Sequence, residues 1–114
     1  MANEDYPLFR KVYEVAVWMT GRVEQYPKSQ RFLLGARTLD LCYELLSSVV
    51  EAIYAHKAKR AAMLQSMSMI VEKERILLRL ALDLRYLSFA QFEFVSKCFL
   101  EIGRMVGGWI KSGA

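Results

Sequence analysis

Proline, glycine, cysteine and histidine are all scarce in this chain of 114 residues: two, six, two and one. Both prolines, Pro7 and Pro27, fall in the first quarter, so nothing after Pro27 carries the missing donor and ring clash that break a helix. So little glycine and proline excludes a linker-rich or disordered chain. The lone histidine, His56, stands in a basic run without a nucleophile or carboxylate nearby, which reads as a solvated residue at a helix end. Glu-x-x-His pairs, the sequence mark of a carboxylate metal site in a helical bundle, are absent. Cys42 and Cys98 show neither CxxC nor Cys/His spacing and sit in apolar rows, which predicts reduced core thiols. No glycine-rich loop follows a strand, and no stretch reads convincingly as a strand. These absences predict a non-enzymatic protein with no metal and no cofactor. No uncharged apolar run approaches the ~18–20 residues of a membrane span. The opening MANEDYPLFRK lacks the apolar core of a signal peptide, so the expectation is a cytoplasmic protein with no membrane partner.

What is present is apolar and helical. Hydrophobic residues make up 54% of the chain and charged residues 25%, which predicts one domain over residues 1–114 with a sizeable core. The spacing predicts four helices, at about 6–25, 29–55, 61–85 and 89–111. Asp5 is expected to cap the first and Pro7 to sit in its opening turn; its inner row is Leu8, Val12, Val15, Met19, Val23 and Tyr26. Gly21 suggests a close backbone approach. Ser29 is expected to cap the second helix, with Phe32, Gly35, Leu39, Cys42, Leu46, Val49 and Ile53 inside. Leu64, Met67, Ile70, Val71, Leu77, Leu78, Ala81 and Leu84 are the inner row expected for the third. Connections this short force an antiparallel, up-down-up-down four-helix bundle, an all-α fold.

The last helix has more apolar surface than one chain can bury. Phe92, Val95, Phe99, Ile102, Val106 and Trp109 form one row, and Ser96, Leu100, Gly103, Gly107 and Ile110 another beside it. Only Glu93, Lys97, Glu101, Arg104, Gly108 and Lys111 remain for water. This predicts that the helix packs against more than its own chain. In the third helix Glu74 falls in phase between Ile70 and Leu77. A carboxylate there needs an arginine partner or an interface, unless it reaches water from the bundle edge.

The net charge of +4 permits polyanion binding without demanding it. Arg75 and Arg79 are one turn apart on one helical face. Lys28, Arg31 and Arg37 gather at the start of the second helix; Lys57, Lys59 and Arg60 gather at its far end. Little aromatic residue is interleaved with these cations, which does not favour base stacking. Repeated around a ring of subunits, such clusters would sum to a strong field.

Three segments carry a family resemblance: YPKSQRFLLGARTLDLCYELL at 26–46, ERILLRLALDLRYLS at 74–88 and LEIGRMVGGWIKS at 100–112. In order and spacing they resemble Avd, the accessory variability determinant of diversity-generating retroelements. The resemblance extends to the wider group of small bacterial four-helix bundles that includes proteins encoded in ribosomal RNA intervening sequences. It covers the chain from about Tyr6 to Ser112. The resemblance implies a basic, barrel-shaped homopentamer that binds the retroelement's reverse transcriptase and its template RNA or other nucleic acid. Such a protein supports the error-prone copying that diversifies a target gene. It also implies that Arg75 and Arg79, which match the family's paired arginines, contact polymerase or RNA, and that Leu100, Gly103, Gly107 and Ile110 form the subunit interface where a neighbouring copy approaches closely. Lys28, Arg31, Arg37, Lys57, Lys59 and Arg60 are candidates from clustering alone. The residues after the last helix carry no basic tail of the kind some relatives have. An RNA-associated bundle of the intervening-sequence group, or a purely structural oligomer, are the alternatives.

Overall fold

A computed structural model describes residues 6–113, and among them every regular element is helical. Helix α1 spans Pro7–Val23. Helix α2 opens as Lys28–Gln30, passes through a π-helical stretch Arg31–Gly35 and continues as Ala36–Tyr54. Helix α3 spans Lys57–Asp83 and α4 spans Phe89–Lys111. Each helix packs on its chain neighbours, and α4 returns to α1, which closes the expected antiparallel bundle. Its extents of 42 × 21 × 20 Å are those of a rod one helix long and two helices wide.

The helix ends follow local chemistry. Asp5 lies outside the described residues; Tyr6 occupies the position before α1, with Pro7 in the first turn as expected. Ser29 is not a cap. Pro27 is extended, and its carbonyl accepts from the amides of Gln30 and Arg31, so α2 begins at Lys28. The α2–α3 connection is also shorter than the basic run suggested, and Lys57, Lys59 and Arg60 belong to the first turn of α3. At the start of α4, Ser88 caps as expected. Its hydroxyl accepts from the Gln91 amide at 3.1 Å while the Gln91 side chain accepts from the Ser88 amide at 2.9 Å. Helix α3 ends in a paired closure: the Tyr86 amide donates to the Ala81 carbonyl at 2.8 Å and the Arg85 amide to that of Leu82 at 2.9 Å. The residue in the left-handed conformation is Arg85, at φ 66°, where glycine is usual.

The core is continuous along the rod. The whole predicted inner row of α1 is buried, as are Val95, Phe99, Ile102 and Val106 of α4. Phe92 and Trp109 are half-buried. Two rows need correction. In α2 the buried stripe is Thr38, Leu41, Cys42, Leu45, Val49 and Ala52, while Leu39, Leu46 and Ile53 lie on its flank and Phe32 is 80% exposed. Thr38 can be buried because its hydroxyl donates to the Leu34 carbonyl at 2.8 Å, and Ala52 is small, so an apolar count passes over both. The π-helical stretch adds to this, since its wider turn breaks the register between Phe32 and the rest of α2. In α3, Leu77 is half-buried and Leu84 exposed.

The close backbone approach is at Gly35 and not at Gly21, which is exposed with open space where a Cβ would stand. A Cβ on Gly35 would lie 2.6 Å from Val23 Cγ1 and 3.1 Å from the Gln30 carbonyl oxygen. Gly35→Ala is therefore expected to cost about 1–3 kcal/mol, the usual penalty for overfilling a packed site. Chemical denaturation reads this as a lower midpoint at unchanged slope.

Candidate partner and nucleic-acid interface

The up-down order sorts the predicted cations to two poles. Lys28 and Arg31 stand at the pole of the α1–α2 and α3–α4 connections, which meet where Tyr26 and Tyr86 pack with ring centroids 5.4 Å apart. Arg79 is one turn from that pole, and Arg85, which pattern reading passed over, lies in the connection itself. Lys57 and Lys59 stand at the other pole, one rod-length away, with Lys111. All of these are exposed, as is Arg37. Arg31 donates through Nε to the Tyr26 carbonyl at 3.1 Å, which ties its guanidinium to the turn.

Arg60 is placed differently from its neighbours. Its Nε donates to the Ala52 carbonyl at 2.8 Å and its Nη2 to the Ala55 carbonyl at 2.9 Å, so it satisfies the open end of α2. Its guanidinium also lies 5.4 Å from the centre of the Trp109 ring, which Tyr6 stacks against at 6.2 Å. That geometry gives Arg60 a structural task at the pole where Lys57 and Lys59 remain free to the solvent.

Arg75 and Arg79 line the outer seam between α3 and α4. Arg75 bonds Glu72 at 3.4 Å and Arg79 bonds Asp83 at 3.2 Å, both within α3 and both exposed. Exposed pairs of this kind contribute under about 1 kcal/mol, so both guanidinium groups are readily redirected to a partner. A groove of about 280 Å³ runs along the seam between Val71 and Arg75 on one side and Phe99, Leu100, Gly103 and Arg104 on the other. Phe92 and Ser96 continue it past Arg75 toward Ile76 and Arg79. Helix geometry produces this: Arg75 and Arg79 follow each other by four, and small Ser96 and Gly103 keep α4 low beside them.

The row proposed for subunit contact divides. Leu100 and Gly107 are exposed, and nothing lies within 4 Å of a Cβ built on Gly107. Gly103 is half-buried, 3.8 Å by its built Cβ from Val71 Cγ1 of the same chain, and Ile110 packs on the chain's own core. Pattern reading missed the neighbouring stripe on α3. Ile76 is 69% exposed, and Leu80 and Leu84 follow it at steps of four, with Phe89 exposed beyond. Ile76 and Leu80 lie out of phase with Leu78 and Ala81, which is the signal for them; Leu84 follows Ala81 by three, so spacing alone puts it in the inner row.

Glu74 is fully buried, and its partner is a thiol instead of the expected arginine or water. Cys42 Sγ donates to Glu74 Oε2 at 3.0 Å, while among the described residues Oε1 has no hydrogen-bond partner. Burial pushes the Glu74 carboxyl up to about 8, against the opposing pull of the Cys42 bond and the Arg37 charge. The same burial, with Glu74 beside it, drives the Cys42 thiol well above its ordinary range, so it is an inert proton donor. Cys98 is also a free buried thiol raised by burial, near the 3.0 Å Lys11–Glu101 pair that ties α1 to α4. Among the described residues no group of three His, Cys, Asp or Glu side chains is placed to hold a metal ion, and no helix is long and apolar enough to cross a membrane.

Residues 8–113 match the family described as bAvd-like. No curated protein and no solved structure gives a match. With all but the extreme ends of the chain covered, this protein belongs to the bAvd-like family.

Proposed function

We propose that this chain is a non-enzymatic accessory subunit of a diversity-generating retroelement, working as a homopentameric, electropositive scaffold in the cytoplasm. Its partners are the retroelement's reverse transcriptase and template RNA, which it holds in proximity during mutagenic copying. Positioning of this kind needs no reacting group in the scaffold, because bringing two reactants together already removes much of an entropic barrier. The observation that supports the reading best is the α3–α4 seam of a bAvd-like chain, where Arg75 and Arg79 are exposed beside unburied Ile76, Leu80 and Leu100. Exposed apolar side chains beside cations free to be redirected suit a protein partner, whereas the cations at the two poles suit phosphate. Assembly into a ring would repeat each polar cluster around an axis and turn a chain charge of +4 into a strong local field.

The test is the salt dependence of binding to template RNA. Single strands release about 0.7 counterion per phosphate contact, so four contacts weaken binding roughly 50-fold between about 50 and 200 mM salt. A slope near zero, or no binding at low salt, would leave only a structural oligomer.

A further inference from the structure

The buried carboxyl of Glu74 takes no part in the partner and nucleic-acid contacts proposed above. It is 0% exposed, and Tyr26, at the α1–α2 connection, is 1% exposed. Among the described residues, Glu74 Oε1 and the Tyr26 hydroxyl both have no hydrogen-bond partner. An ionised carboxylate in such a place loses its hydration and gains only a weak thiol donor in return. A carboxylic acid loses far less, so the closed bundle and the proton favour each other.

The groups that bear on Glu74 are few. From α2 come the Cys42 thiol and the Arg37 guanidinium, the one charge that favours the ionised form. From the α1–α2 connection comes Tyr26, pushed up to about 12 by burial, with Glu74 adding to the rise and Arg22 opposing it. Lys73 and Arg75 flank Glu74 on α3 but are exposed on other faces of that helix. Among the described residues, α4 contributes no charge to its balance.

We propose that Glu74 is a proton-operated latch between α2 and α3: protonated, it seats against Cys42 and closes the two helices, and loss of its proton to solvent loosens them. The latch lies between α3, which carries Arg75 and Arg79, and the part of α2 that follows the π-helical stretch and Arg37. Loosening there changes the spacing of cations on neighbouring helices without any change in surface charge. The sign of the pH dependence follows from linkage. The unfolded chain releases this proton near the ordinary 4.5 and the folded chain holds it to about 8. Stability contributed by the latch is therefore complete below about 4.5, declines as pH rises between the two values and is gone above about 8.

The experiment follows the side-chain carboxyl carbons by NMR in the full chain, together with amide hydrogen exchange corrected for intrinsic rate at pH 6 and pH 9. The expected result is a Glu74 midpoint above 7, raised further in Arg37→Gln. Amides of residues 38–46 and 70–78 should lose about tenfold or more of their protection at the higher pH. In Glu74→Gln that loss should disappear. A Glu74 midpoint below 6 overturns the latch even if Glu74→Gln fails to fold. Equal protection at both pH values, or the same loss in Glu74→Gln, overturns it as well.

Discussion

Gly107→Leu should reduce the assembly to single chains while leaving the bundle folded. Gly107 is exposed, and a side chain built there meets nothing of its own chain within 4 Å. Leucine in place of glycine within a helix gains roughly 0.8 kcal/mol of propensity, so the isolated chain should melt no lower than the native one. If a neighbouring subunit approaches closely over Gly107, the new side chain occupies its space. Overfilling a packed contact costs about 1–3 kcal/mol, and a closed ring incurs that at every interface. Light scattering should then report a mass near the 13.2 kDa of one chain, against a pentameric mass for the native protein. Helical circular dichroism should be unchanged. A variant that keeps the native mass would move the subunit contact away from this part of α4. Gly103 is the less informative position, because its built Cβ already lies 3.8 Å from Val71 Cγ1 and a leucine there would disturb the chain's own packing.

The second large effect concerns the paired arginines. Replacing Arg75 and Arg79 together by glutamine should abolish stable association with the reverse transcriptase. Each guanidinium is exposed and held only by an acid of its own helix, Glu72 at 3.4 Å and Asp83 at 3.2 Å. Losing both pairs should shift the melting temperature little, since exposed pairs contribute under about 1 kcal/mol each. A hydrogen bond to a charged group at an interface is worth roughly 1.5–3 kcal/mol, so two such contacts correspond to a loss of ~100-fold or more in affinity. The double variant should keep the native mass and its RNA salt slope should fall only modestly, because the polar clusters at Lys28, Arg31, Lys57 and Lys59 are untouched. Full co-purification of the double variant with the polymerase would show that the seam is not the docking face.

Much of this fold was legible in the sequence, and where reading failed the cause was local. The inner rows of α1 and α4 were read correctly because their apolar residues are large and regularly spaced. In α2 the row was misplaced because its buried stripe includes Thr38, made tolerable by its bond to Leu34, and Ala52. The π-helical stretch Arg31–Gly35 has no sequence mark of its own. It puts Phe32 in the open and brings Gly35 against Val23, so this glycine cannot carry a side chain cheaply. Glu74 was singled out by phase alone, but which group would answer it depends on the register of α2 against α3, and that is a tertiary fact.

The candidate site was less legible than the fold. Spacing placed Arg75 and Arg79 together and assigned the other cations to opposite ends, as the bundle places them. Spacing does not distinguish a free cation from one bound to backbone, so it groups Arg60 with Lys57 and Lys59, although Arg60 is bonded to the Ala52 and Ala55 carbonyls. Arg85 was overlooked because nothing in its sequence context signals a left-handed residue that is not glycine. Ile76 and Leu80 fall outside the inner row that spacing marks, and Leu84 falls within it yet is exposed. They share the seam's outer edge with Arg79 and belong to the same surface.

The central claim is that this chain brings polymerase and template together. Sedimentation of the cognate reverse transcriptase with its template RNA, at near-physiological salt and with increasing amounts of this protein, tests it most directly. The expected result is a single heavier species containing all three components, which forms with the native chain and fails to form with Gly107→Leu. If polymerase and RNA sediment together equally well without this protein, or if it sediments apart from both, the scaffold account is contradicted.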